Sequence, residues 1–257
     1  ADRGTVRIKL RGLIREKGPS MFALAGRFHY FDLVGKDCVQ GIRSCQLAIA
    51  RSKTVAKFIK NRAAILDQYL DVLKEVNSKL LADYKQKLVD GQSARLRRAT
   101  RLKMPGDTRK ISNVALLVTV SQAFKLEVLK GLFHHPHWTE VTTSIPAKDH
   151  SIMDTVIKVG LNIDHSTVPI LFWAKVFRRL HRAQRDAESS TVTCSDIVDT
   201  FVRCYESMDD LVQQHPEFGD DVERVRASMR QRFTAHYDEV YALSMCLDPR
   251  RLFDHPF

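Results

Sequence analysis

The sequence predicts a mainly α protein, a helical bundle joined to a small mixed segment at its N-terminal end. Three observations carry that expectation. Apolar residues recur at spacings of three and four over most of the chain, no proline interrupts the stretch between Val39 and Val89, and neither an internal repeat nor a low-complexity tract points to a solenoid.

In residues 5–17 the apolar Val6, Leu10, Leu13 and Ile14 share one helical face, and Gly18-Pro19 ends the element. Met21, Phe22, Ala23, Leu24 and Ala25 then form a brief apolar run. It reads as a buried strand, with the start of a helix as the alternative that periodicity leaves open. From Val55 to Leu88 a stripe through Phe58, Ile59, Leu66, Tyr69, Leu73, Val76, Leu80 and Tyr84 predicts one long amphipathic helix or two consecutive ones. Residues 91–110 lose that stripe and gather Arg95, Arg97, Arg98, Arg101, Lys103, Arg109 and Lys110 around Pro105-Gly106, which predicts a basic loop able to meet phosphates. Helical spacing resumes at Val114 and breaks at His134-His135-Pro136-His137-Trp138. Further amphipathic segments pass through Ile152 and Val156, Trp173 and Leu180, Phe201 and Met208, and Val222 to Tyr241, the last ending before Asp248-Pro249.

With 257 residues and 44% hydrophobic composition, the chain has enough apolar material for one large domain or two smaller ones, which excludes wholesale disorder. Its formal charge of +11 favours a polyanionic partner or an acidic surface. The charge is unevenly placed, about +15 up to Lys110 and about −4 beyond it, so a nucleic-acid face belongs to the first half. The five cysteines are widely spaced without a CxxC pair, which indicates neither a disulfide framework nor a zinc ribbon and suits a reducing compartment. No apolar run approaches the roughly 20 residues that span a bilayer, so no membrane partner is expected.

A phosphate-cradling glycine loop, a GxSxG elbow and an HExxH helix are all missing from the sequence. His134, His135 and His137 sit in a proline-containing stretch without a nearby cysteine, and read as a loop anchored by Trp138 rather than as a metal site. Asp2, ahead of Arg3, Arg7, Lys9 and Arg11, reads from its surroundings as a helix-capping acid.

In order along the chain, Asp2, Lys17-Gly18-Pro19, residues 21–25, Gly26-Arg27-Phe28-His29, Asp32-Leu33 and Lys36-Asp37 resemble the hAT (hobo and Activator) superfamily of DNA transposases. The resemblance continues through the run from Lys53 to Asn61, the run from Leu102 to Lys110, Phe172-Trp173-Ala174-Lys175-Val176-Phe177, and the segment ending in Leu247-Asp248-Pro249-Arg250. Two positions depart from the family pattern: its motif cysteine is Gly26 here, and the tryptophan of its TRW segment is Lys110. An ammonium there makes a salt-sensitive phosphate contact where the ring would stack on a base. His29, without its cysteine, reads as a packing or hydrogen-bonding residue.

The resemblance implies a ribonuclease H-like α/β core interrupted by a helical insertion. Three carboxylates there would hold two Mg²⁺ or Mn²⁺ ions for in-line phosphoryl displacement, a task that suits hard cations and oxygen ligands. Asp2 corresponds to the second of those acids, as catalytic residue and metal ligand; the first and third would lie before Ala1 and after Phe257. The expected organisation is therefore a partial core segment at 1–38, a helical insertion domain at 39–247, and a linker at 248–257. The expected function is DNA binding in a nucleus by a transposase-derived fragment that is not a complete enzyme alone, with homo-oligomerisation through a region following the chain. The alternative is a domesticated helical scaffold for protein contacts.

Overall fold

The computed structural model describes residues 30–104, 112–188, 193–236 and 239–248. Asp2, residues 21–25, His29, Arg109 and Lys110 lie outside these. Among the described residues the regular elements are all helical, as the mainly α expectation required, and no strand occurs. The ribonuclease H-like part of the expectation therefore finds no sheet here. Of the segment 1–38, residues 30–38 belong to a helix.

Two compact units divide the chain, one of residues 1–42 with 176–257 and the other of residues 43–175. In the larger-numbered-core unit 43–175, the centre is α2 (Arg43–Lys60), preceded in the chain by α1 (Tyr30–Gly41). Its buried Cys45, Ala48, Ile49, Ser52, Val55, Ala56 and Ile59 fall on successive turns of one face. Against α2 pack α3 (Ala63–Val89), α4 (Ser112–Lys125) and α7 (His150–Leu161), while α5 (Val128–Phe133) packs on α3, α4 and α7. The short α6 (Trp138–Thr143) packs on α3. Close approach is possible because Gly131 on α5 faces Val72 and Gly160 on α7 faces the ring of Phe133. The stripe from Val55 to Leu88 falls on two consecutive helices, α2 and α3, the second of the two alternatives that its spacing left open. The break between α2 and α3 occurs where Arg62 turns to an extended conformation (φ −125°, ψ 104°). There its guanidinium reaches Asp149 at 2.7 Å and the carbonyl of Phe58 at 3.2 Å, and lies over the Phe58 ring at 4.3 Å.

The other unit contains α1, the second half of α8 (Val168–Ala187), α9 (Cys194–Glu206), α10 (Asp209–Gln214), α11 (Gly219–His236) and α12 (Glu239–Leu247). α1 buries Tyr30, Phe31, Val34 and Cys38 at helical spacing, and packs on α11, where Val222, Val225 and Met229 are buried. Asp37 joins the two helices, accepting from Arg232 Nη2 at 2.7 Å, Arg232 Nε at 2.9 Å and Ser228 Oγ at 2.6 Å. Burial raises the Asp37 pKa, but the hydrogen bonds from Arg232 and Ser228 outweigh it and hold the carboxyl below its usual range. α9 opens with a capping box: Thr193 Oγ1 accepts from the Asp196 N–H at 3.3 Å and the Thr193 N–H donates to Asp196 Oδ2 at 2.8 Å. The buried Asp248 follows α12 and accepts from Ser195 Oγ at 2.6 Å, tying the end of that helix to the start of α9. Among the described residues no helix is long and apolar enough to cross a membrane.

Candidate nucleic-acid interface

The basic loop expected after α3 is present over its described part. Residues 92–104 form no helix and run as a strap along α3 and α4. Its conformation is fixed by a few inward groups. Leu96 is half-buried and Ala99 and Leu102 are buried, a three-residue spacing that places one apolar side chain inward at each step. Asn77 on α3 clamps the strap in its middle: the Ala99 N–H donates to Asn77 Oδ1 at 2.8 Å, and Asn77 Nδ2 donates to the Ala99 carbonyl at 3.1 Å. On either side the Thr100 hydroxyl donates to Gln122 at 3.1 Å and the Lys103 N–H donates to Thr119 Oγ1 at 3.1 Å. Tyr69 reaches the Thr100 carbonyl at 3.5 Å, the limit of a hydrogen bond.

What remains outward is charge. Arg95, Arg97, Arg98, Arg101 and Lys103 are all exposed, and among the described residues none forms an ion pair. Three of the four basic residues of α3 differ: Lys74, Lys79 and Lys87 are paired with Asp71, Glu75 and Asp83 one turn away at 2.9, 2.6 and 2.8 Å, while Lys85 has no ion pair among the described residues. The strap thus carries uncompensated positive charge, while most of the cations of the helix beneath it are paired. Two hollows border it. One of about 390 Å³ is lined by Tyr84, Lys87, Gln92, Arg95 and Arg97, and one of about 160 Å³ by Lys60, Tyr69, Arg101 and Leu102. Lys60, the last residue of α2, joins the basic edge although the sequence reading did not group it with the loop. Its only signal was its place at the end of a helix, where cations are common in any protein. Asn77 was also missed; a polar residue on the flank of an amphipathic stripe was the one hint.

The side chains of the histidine segment are held by local hydrogen bonds. His134 Nδ1 is engaged with the Lys130 carbonyl at 2.8 Å and His137 Nδ1 with Glu140 at 3.0 Å, and the half-buried Trp138 meets Phe133 edge-on at 5.1 Å. Among the described residues no three His, Cys, Asp or Glu side chains converge. Asp2, the acid that the family resemblance assigns to Mg²⁺ or Mn²⁺, lies outside the described residues. Burial pushes the thiols of Cys38 and Cys204 up to about 12. Comparison with family models, with curated proteins and with solved structures finds no match to this chain.

Proposed function

We propose that the protein binds DNA through the strap at Arg95, Arg97, Arg98, Arg101 and Lys103, as a nuclear protein of hAT-transposase descent that carries out no strand transfer alone. The observation behind this reading is a pinned, non-helical segment whose exposed cations have no carboxylate partners among the described residues. Such a segment meets backbone phosphates with little sequence preference, since phosphate contacts position a protein and base contacts specify. Arg109 and Lys110 continue the basic run in the sequence and extend the same proposal. The α/β core and its metal chemistry remain attached to this reading only through the motifs around Asp2.

Each phosphate neutralised lowers the slope of log K against log salt by about 0.9. Five contacts give a slope of at most about −4.5, or about a 500-fold loss of affinity between 50 and 200 mM salt. Fluorescence anisotropy with an unrelated-sequence duplex measures this directly. Arg97→Glu, Arg98→Glu and Arg101→Glu together should abolish binding at 200 mM; salt-independent binding, no binding at 50 mM, or an unaffected triple variant would overturn the reading.

A second reading, a scaffold for protein partners, is favoured by Leu88 and Val89, which are 50% and 81% exposed at the end of α3. Under it the same triple variant leaves a protein partner bound.

A further inference from the structure

The unit containing α9 holds a cavity of about 330 Å³ lined by Arg179, Arg182 and Asp186 of α8 and Thr200, Arg203 and Ser207 of α9. Three guanidinium groups face one carboxylate around it. None of the three is well satisfied by protein. Arg179 Nη2 stands 3.6 Å from Asp210, a loose pair, and its Nη1 is buried without a hydrogen-bond partner among the described residues. Arg182 Nε is 3.9 Å from Asp186, at the edge of any ionic contact. Arg203 Nε makes a long 3.4 Å bond to the Asp199 carbonyl one turn earlier.

We propose that this cavity binds a phosphate group. A guanidinium presents five N–H donors in a planar fork that matches a tetrahedral oxyanion, so three of them leave many donors to be met by one ligand. Arg179, Arg182 and Arg203 all line the cavity, and an oxyanion there accepts charge-assisted hydrogen bonds from guanidinium groups that the protein meets only loosely. The volume admits a phosphate with several waters, each taking about 30 Å³. Thr200 and Ser207 add hydroxyls to the lining; Ser207 Oγ donates to the Cys204 carbonyl at 2.7 Å and keeps its lone pairs for a protonated phosphate oxygen. Asp186, which also lines the cavity, weakens the net attraction. The site belongs to the other compact unit and does not rest on the DNA reading of the strap.

The ligand class has two sources, the free ion and the phosphomonoester of a nucleotide, and calorimetric titrations with inorganic phosphate and with a nucleoside monophosphate separate them. Equal affinities assign the site to the phosphate alone; tighter nucleotide binding adds the base or sugar to it. Arg182 and Arg203 are exposed, so Arg182→Gln and Arg203→Gln leave the packing intact, and each should weaken binding about tenfold. Arg178→Gln, on an exposed neighbour outside the cavity lining, should change nothing. No binding up to about 10 mM of either probe, or an equal loss in the Arg178 variant, would overturn the assignment.

Discussion

Replacing Asn77 with alanine removes both hydrogen bonds that clamp the strap, the 2.8 Å bond from the Ala99 N–H and the 3.1 Å bond to the Ala99 carbonyl. Neutral hydrogen bonds contribute about 0.5–1.5 kcal/mol each, so the docked strap loses about 1–3 kcal/mol relative to a lifted one. At 1.4 kcal/mol per factor of ten, the ratio of docked to lifted strap falls about 5- to 140-fold. Burial of Ala99 and Leu102 and the Thr119 and Gln122 bonds persist, so the docked form remains the ground state and the fold survives. The assay is amide hydrogen exchange under conditions where reclosing outpaces exchange. The Ala99 and Lys103 amides should accelerate by that factor, while amides in the buried turns of α2, such as Ala56, keep their wild-type rates. The slope of DNA binding against salt should stay as it was, because no charge is removed. An unchanged Ala99 rate would refute the clamp; acceleration spread equally through α2 would show that Asn77 supports the whole unit instead.

The remaining expectations concern packing and pH. In Gly160→Ala the new Cβ would lie 2.3 Å from Phe133 Cε2, and that ring is backed by Trp138 at 5.1 Å. Overpacking costs about 1–3 kcal/mol against roughly 1 kcal/mol of helix propensity gained, so thermal unfolding should shift to lower temperature by up to about 8 °C. Gly41→Ala, where nothing lies within 4 Å of the added carbon, is the control and should leave the midpoint unchanged or raise it. For Asp37, whose folded pKa is depressed, the stabilisation is complete above the unfolded carboxyl value of about 3.9 and is lost as pH falls through the folded value. Denaturant titrations of wild type and Asp37→Asn should therefore differ at pH 7 and converge in acid; a gap that persists at pH 2 would exclude ionisation as its source.

Helical periodicity made most of this fold legible, because a buried face at spacings of three and four leaves its mark on the residues themselves. The break at 134–137 and the end of the last helix at Leu247 were announced by proline and by loss of the stripe. The break at Arg62 was not. It carries no glycine or proline, and its cause, the Asp149 carboxylate, lies 87 residues later in the chain. Likewise the sequence showed that residues 91–110 were basic and irregular, but not that five of the cations stay unpaired while Lys74, Lys79 and Lys87 of α3 are neutralised one turn away. The charges alone cannot distinguish the two, since pairing depends on the backbone that places an acid at i−4 or i−3. The arginine cavity was invisible for the same reason: Arg179 and Arg203 lie on different helices, and only the fold brings them to the lining of one void.

The irregular backbone of the strap matters for what it is proposed to bind. Eight steps separate Arg95 from Lys103. As α-helix they would span about 12 Å, packing five cations within roughly one Debye length at 0.1 M salt, where they repel one another. An extended chain spreads the same steps over as much as about 26–29 Å, so each cation can address a different phosphate. That spread would ordinarily be floppy, and ordering a free backbone on binding costs about 1–2 kcal/mol per residue. Pinning by Asn77, Thr119 and Gln122 meets that cost during folding. A strap held this way should bind without further ordering, so cutting its anchors should weaken DNA affinity even though every charge remains; affinity that survived loss of Asn77 and Thr119 together would mean that charge density alone suffices.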